Sequence, residues 1–427
     1  MHTIKTIKHL FKNEILLNSF ITMIVQGLGQ ITAFASSILL AHYLSIAEYG
    51  QYIFGVTIAS ILAVIATLGA DGILARSWGW SDKTGIKRTK QVFHIHNWFW
   101  RRGIIIIVAT TTINCFSYIY FFDQNSNFIQ VFTFLFALPF FIANLLQSFY
   151  IANKKVICAN LIQFFMRIIM LSVIGICIFL QVQDTCLLIG IIFCAILLYM
   201  IILWLKITLK HGSNSYKPQG SNMAFILLKF GNLLLSQIGI LLLKIFSSNE
   251  NVAYYAIALQ LNALVTFALN AVSANIVAQV ANDHKMLQHK EFQHRITHYT
   301  HIISGLSAFT MISLIIAGYW VTMLYGEKYT QAYSLFCILM IGQTINVLCG
   351  NVFTILNMTG FEKITCRVFY IALVINIVLG ITLIPSLNTY GVAIASAVAM
   401  ILWNLFLTYF VMKKLSINPT VFIFKRN

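Results

Sequence analysis

Twelve apolar stretches run through this chain, and the basic residues between them fall almost entirely on alternate loops. The stretches lie near 15–41, 49–75, 103–122, 128–152, 156–180, 187–205, 223–246, 251–281, 299–325, 332–357, 368–385 and 390–412. Most are about 20 residues or longer, enough for a helix to cross the hydrocarbon core. One set of alternate segments holds 24 of the 28 Lys and Arg residues; the remaining four are Arg167, Lys229, Lys244 and Lys328. Only Lys328 occupies a loop of the opposite set. Basic loops remain cytoplasmic, so the pattern predicts a multi-pass protein of a bacterial inner membrane with both termini inside.

Composition narrows the class. The chain is 59% hydrophobic and 9% charged, unlike a soluble globule. The apolar runs are continuous rather than alternating, which favours helices over a β-barrel. A net charge of +17 spread over loops beside membrane spans suits a bilayer with an anionic inner leaflet, not nucleic acid. The eight cysteines have no C-x-x-C or zinc-type spacing and read as small buried side chains. His294, His298 and His301 share a helix face beside Lys290 and Arg295, a headgroup-facing surface rather than a metal site. No cofactor is expected. Ala33-Phe34-Ala35 resembles a cleavage site, but the apolar run continues past it, so the first span reads as uncleaved.

The clearest boundary is 206–222, where turn residues from His211 to Pro218 interrupt the pattern. It separates an N-terminal six-helix lobe (1–205) from a C-terminal one (223–412), followed by a cytoplasmic tail (413–427). A weak repeat supports the division: Leu40–Tyr52 aligns with Leu243–Tyr255, each joining a lobe's first two helices across a short outer turn. Six helices per half gives parallel repeats related by a pseudo-two-fold along the membrane normal, with substrate between them.

Ionisable groups deep in a span cost about 2.5–3.5 kcal/mol on insertion scales and usually face a cavity or partner. Arg167 is the clearest case, because Asn153, Asn160, Gln163 and Arg167 fall on one helical face. Further polar stripes are Asn18/Thr22/Gln26/Gln30, Lys229/Asn232/Ser236, Asn262/Thr266/Asn270/Ser273 and Gln343/Asn346/Thr354. From these the candidate substrate-binding set is Arg167, Lys229, Lys244, Gln163, Asn160, Gln26, Asn270 and Gln343. The amides can equally bond neighbouring helices, and Lys229 and Lys244 can snorkel to either interface. All eleven acidic residues lie in loops or at span ends, and only Asp71 approaches the interior. Asp71 and Arg76 are candidates for gating or coupling, or simply pair with each other at the cytoplasmic end. Fixed cations without buried carboxylates favour an anionic headgroup such as a lipid pyrophosphate over a cationic drug. No phosphate-binding G-x-x-x-x-G-K-[ST] loop occurs. The outer loops are too short for the catalytic loop of a membrane polymerase, and no D-x-D suggests a glycosyltransferase. The chain reads as a transporter, not an enzyme.

Several motifs carry a family resemblance. Leu39-Leu40-Ala41-His42-Tyr43-Leu44-Ser45-Ile46-Ala47-Glu48-Tyr49-Gly50-Gln51-Tyr52, then Leu68-Gly69-Ala70-Asp71-Gly72 and Arg76, resembles the opening of Wzx-type polysaccharide (O-antigen) flippases. Those belong to the multidrug/oligosaccharidyl-lipid/polysaccharide exporter superfamily. Tyr325-Gly326-Glu327-Lys328-Tyr329, Thr359-Gly360-Phe361-Glu362-Lys363, Leu383-Ile384-Pro385 and Tyr390-Gly391-Val392-Ala393-Ile394-Ala395-Ser396 are similar to second-half signatures. The resemblance implies an all-α fold of twelve transmembrane helices in two six-helix lobes arranged as a V. It also implies alternating access, export of undecaprenyl-pyrophosphate-linked oligosaccharide, and a polymerase and chain-length regulator as partners. Where many relatives carry an acidic–basic pair in the seventh helix, this chain has Gly239-Ile240, so a cation-coupling role does not transfer.

Overall fold

The computed structural model describes residues 14–70, 73–74, 85–121, 128–211, 214–215 and 223–422. Its regular elements are helical, with no strand among the described residues. In chain order they are α1 (Glu14–Tyr43), α2 (Ile46–Ala66), α3 (Gly85–Phe121), α4 (Phe128–Phe134), α5 (Ala137–Ala152), α6 (Val156–Phe179) and α7 (Thr185–His211). Then follow α8 (Met223–Phe246), α9 (Asn249–Met286), α10 (His289–Met323), a 3-10 turn (Glu327–Tyr329), α11 (Gln331–Cys349), α12 (Val352–Met358), α13 (Glu362–Leu387) and α14 (Thr389–Leu415). Among the described residues, ten spans are long and apolar enough to cross a membrane. The other two expected spans fall within α3 and α9. Large apolar side chains such as Phe116, Phe309, Ile316 and Leu209 are exposed, as lipid-facing positions require.

Two compact units emerge. The first combines the chain up to Tyr43 with Gly55–Ile226, and the second combines Leu44–Phe54 with Leu227 onward. The boundary therefore falls inside α2, whose opening turns pack with residues some 200 positions later.

In the first unit α1 lies along α6, and α5 packs against α3, α6 and α7. The fourth expected span divides into α4 and α5. Pro139 has no N–H to return to the Leu135 carbonyl, which instead accepts from Leu138 N–H at 3.1 Å through a tighter turn. The aromatic run Trp98-Phe99-Trp100, just before the third expected span, is partly turned inward. Phe99 is buried, Trp100 stacks on Trp204 at 4.5 Å, and the Arg102 guanidinium lies 5.1 Å from the Trp98 ring.

In the second unit α13 and α14 form a hairpin, with α11 packed on α14. The tenth expected span breaks into α11 and α12 at Gly350, whose φ of 74° suits glycine. A side chain there would also collide with the Pro419 carbonyl. That carbonyl belongs to a docked strap beyond α14. Asn418 N–H donates to Gln293 Oε1 at 2.6 Å, Thr300 Oγ1 donates to Pro419 O at 2.9 Å, and Val421 N–H donates to Leu348 O at 3.0 Å. Ile417 is only 1% exposed and joins the core of α10, α11 and α14.

The two segments of the sequence repeat adopt the same local structure. α1 ends at Tyr43 and α2 starts at Ile46, while α8 ends at Phe246 and α9 starts at Asn249. Each following helix opens on a serine cap. Glu48 N–H donates to Ser45 Oγ and Ser45 N–H donates back to Glu48 Oε2 at 2.9 Å, a reciprocal capping box. Ser248 Oγ accepts from Asn251 N–H at the matching place.

Candidate functional site

The first unit holds a polar seam where α1 meets α6. Gln26 Nε2 donates to Asn160 Oδ1 at 2.8 Å, and Asn160 Nδ2 donates to Val156 O at 2.9 Å. One turn further along α1, Gly29 is buried and lies against Arg167: a Cβ there would stand 3.1 Å from the guanidinium Nη1. Gln163 is half-exposed on the same α6 face, between Asn160 and Arg167. The helices run side by side in the same direction, so two polar stripes become one strip. Gly29 is the member the sequence did not single out. Its place beside Gln26 and Gln30 was visible, but a glycine carries no chemistry until its partner is known.

Arg167 stands near the middle of α6, eleven residues after Val156 and twelve before Phe179. At 1.5 Å per residue that is roughly 16–18 Å from either end. Among the described residues its guanidinium has no hydrogen-bond or ion-pair partner. Asp and Glu side chains within helices sit at the termini, as with Glu48, Asp283, Glu291 and Glu362. Mid-span there is a planar five-donor cation and, among the described residues, no acid to neutralise it.

The candidates of the second unit are placed differently. Lys244, near the end of α8, donates from Nζ to Asn249 Oδ1 at 2.6 Å and lies 5.6 Å from the Phe54 ring centroid. It ties the α8–α9 turn together. Lys229, six residues into α8, is half-buried. Gln343 on α11 is 2% exposed and has both amide ends engaged. Its Nε2 donates to Thr266 Oγ1 at 2.8 Å, and its Oε1 accepts from Asn346 Nδ2 at 2.9 Å. Thr266 Oγ1 in turn donates to Asn262 O at 3.1 Å. The expected stripes of the eighth and tenth spans thus meet as an interhelical chain. The Asn270 side chain lies outside the described residues, as do Asp71 and Arg76.

Two of the motifs that carried the resemblance, the Leu44–Tyr52 segment and Tyr325–Tyr329, meet beside the α8–α9 turn. Tyr329 packs edge-on to Tyr49, Tyr254 and Tyr325, with ring centroids 6.0, 6.1 and 6.4 Å away. Lys328, the exception to the charge pattern, donates from Nζ to Leu44 O at 3.1 Å. Gly50 abuts the Asn249 backbone so closely that a Cβ would overlap its carbonyl. These motifs build a junction rather than a reactive site.

Several solved structures share this fold. The lipid II flippase MurJ in an inward closed conformation superposes with TM-score 0.70 at 15% identity, over 92% of this chain and 87% of MurJ. An inward-facing multidrug resistance MATE family transporter of the MOP superfamily gives TM-score 0.68 at 11% identity, over 93% and 98% of the two chains. A MOP superfamily transporter from Pyrococcus furiosus, described by the reverse polarity of its binding pocket, gives 0.61 at 12% identity, over 93% and 94%. The chain therefore has the fold of MOP superfamily transporters and flippases. These neighbours are transporters, not enzymes. No protein-family model matches the sequence, nor does any curated protein sequence.

Proposed function

We propose that the chain is a flippase that moves undecaprenyl-pyrophosphate-linked oligosaccharide units from the cytoplasmic to the periplasmic leaflet by alternating access. The observation that carries this reading is Arg167, a mid-span guanidinium with no carboxylate partner among the described residues. Guanidinium and phosphate oxygens form short, charge-assisted bonds of matching geometry, so a lipid diphosphate supplies the missing anion. Gln26, Asn160 and Gln163 extend the same strip with amide groups that suit sugar hydroxyls. MurJ, a lipid II flippase, shows that this fold can move a lipid-linked precursor.

The fold is shared with multidrug transporters, so charge rather than architecture separates the two readings. A cationic drug calls for a buried acid, and none occupies the middle of a described span. The membrane potential would assist export of an anion from a negative interior by about 2.3 kcal/mol per charge per 100 mV. Both termini then lie in the cytoplasm, and a polymerase and a chain-length regulator would receive the product outside.

The test is gene deletion followed by leaflet-resolved labelling of undecaprenyl-linked glycans. Complete units should accumulate on the cytoplasmic leaflet while surface polysaccharide disappears. Single unpolymerised units on the outer leaflet would instead show translocation intact and assign the chain to polymerisation.

A further inference from the structure

The cytoplasmic end of the first unit gathers basic side chains from three separate elements. Phe93 on α3 packs against Phe149 on α5, centroids 5.7 Å apart, and against His211 at the end of α7, 5.3 Å apart. His94 Nδ1 lies 2.9 Å from Asn214 O, and Asn97 Nδ2 donates to that same oxygen at 3.0 Å. The start of α3, the end of α5, the end of α7 and Asn214 are thereby fixed together. Among the described residues, the ionisable neighbours of His211 are Lys90, His94, Lys155 and Lys210, and none of them is acidic. Lys90, Lys155 and Lys210 are exposed.

Like charges held this close repel one another, and the local backbone concentrates them further. Lys154 adopts φ 59°, a region where glycine or asparagine is the economical choice. It presents a second lysine beside Lys155. Lys155 is the N-cap of α6 and makes no capping bond from its side chain, although an acidic or hydroxyl residue would suit that end of a helix. Apolar surface borders the cluster: Val156, Ile151 and Leu209 are 42%, 44% and 86% exposed. A soluble phosphate ion would have no use for that surface, whereas acyl chains would lie on it.

We propose that Lys90, Lys155, Lys210 and His211 form a binding site for the phosphate headgroup of an anionic phospholipid in the cytoplasmic leaflet. Basic recesses between membrane helices on the cytoplasmic side are suited to such headgroups. The site is distinct from the transport seam, since Lys155 precedes Arg167 by twelve residues of α6, roughly 18 Å along the axis. It binds a resident lipid that holds α3, α6 and α7 in register at the membrane surface.

The experiment uses the full purified chain in detergent, titrated with phosphatidylglycerol or phosphatidylcholine and read by native mass spectrometry. The double variant Lys155→Gln/Lys210→Gln is compared with Lys413→Gln/Lys414→Gln, which removes the same charge from the end of α14. Phosphatidylglycerol should bind the parent chain and the α14 variant alike, and bind Lys155→Gln/Lys210→Gln about thirtyfold more weakly. Phosphatidylcholine should show no such difference. Equal loss in both double variants would reduce the cluster to a diffuse surface potential and overturn the proposal. So would full displacement of the lipid by millimolar inorganic pyrophosphate, which would make the ligand a free phosphate. Binding is measured without transport, so neither result depends on the flippase reading.

Discussion

Arg167 costs the chain free energy wherever the substrate is absent, because a charge at mid-span is penalised by about 2.5–3.5 kcal/mol on insertion scales. Gly29 leaves room for its guanidinium but offers no counter-charge. Arg167→Ala should therefore insert normally, be at least as stable as the parent, and lose transport by about tenfold or more, the worth of one charged hydrogen bond. Arg167→Lys should recover part of the rate. Leaflet-resolved labelling in the deletion strain measures both, and full activity of the alanine variant would reduce the seam to helix packing. His96 makes a different prediction. It lies before the third expected span and is buried, with its ring packed against Phe93 and Phe149. Burial lowers its pKa to about 4, below the ordinary 6.5. The fold thus favours the neutral ring, and stability is complete above pH 6.5 and falls as pH drops towards 4. The loss amounts to roughly 3 kcal/mol at the acid end. His96→Phe should flatten that slope in thermal melts of the detergent-solubilised chain. Periodicity alone exposed Gln26, Asn160 and Arg167 in the sequence, because each repeats along its own helix. What periodicity could not show was pairing: that Gln26 reaches Asn160, that Gln343 is taken up by Thr266 and Asn346, or that Lys244 serves a turn. The bonds between helices join amides to partners 77 and 134 positions away, and the lysine's role depends on side-chain geometry at the α8–α9 turn.

At the scale of elements, hydropathy located the apolar part of each helix and missed what lies outside it. The third expected span began at 103, yet α3 begins at Gly85. Its polar turns keep backbone bonding in water just as the apolar ones do in lipid. Breaks were hidden for the converse reason, since Pro139 and Gly350 interrupt hydrogen bonding without changing hydropathy. The strap beyond α14 was legible only as a tail, since neither its charge nor its length reveals that Ile417 enters the core. Gly50 gives the sharpest element-level prediction. A Cβ there would meet the Asn249 backbone, which cannot rotate away as a side chain could. Gly50→Ala should cost about 3 kcal/mol, the upper range for overpacking, seen as a lower melting temperature. Gly175, with open space around it, should accept alanine without loss and serves as the control.

Across the whole molecule, the alternating charge pattern and the described helices make one topological prediction. Alkaline phosphatase fused after Asn388, in the turn between α13 and α14, should be active because the turn faces outward. Fusion after Gly360, before α13, should be inactive, and the reverse would invert the entire orientation. The fold class was legible because twelve apolar runs leave a chain few alternatives. The composition of the two units was not, because a sequence is read linearly and hydropathy assigns 44–54 to its own half. Those eleven residues instead belong with the second unit, held by Lys328 across 284 positions. A ribosome adds about 5–20 residues each second, so the bond from Lys328 to Leu44 becomes available on the order of 15 to 60 s after Leu44 is made. Throughout that interval the opening turns of α2 lack their permanent neighbours. Expressing residues 223–427 alone would yield a body with a gap where Tyr49 and Gly50 should sit, and a separate peptide covering 44–54 should be what fills it.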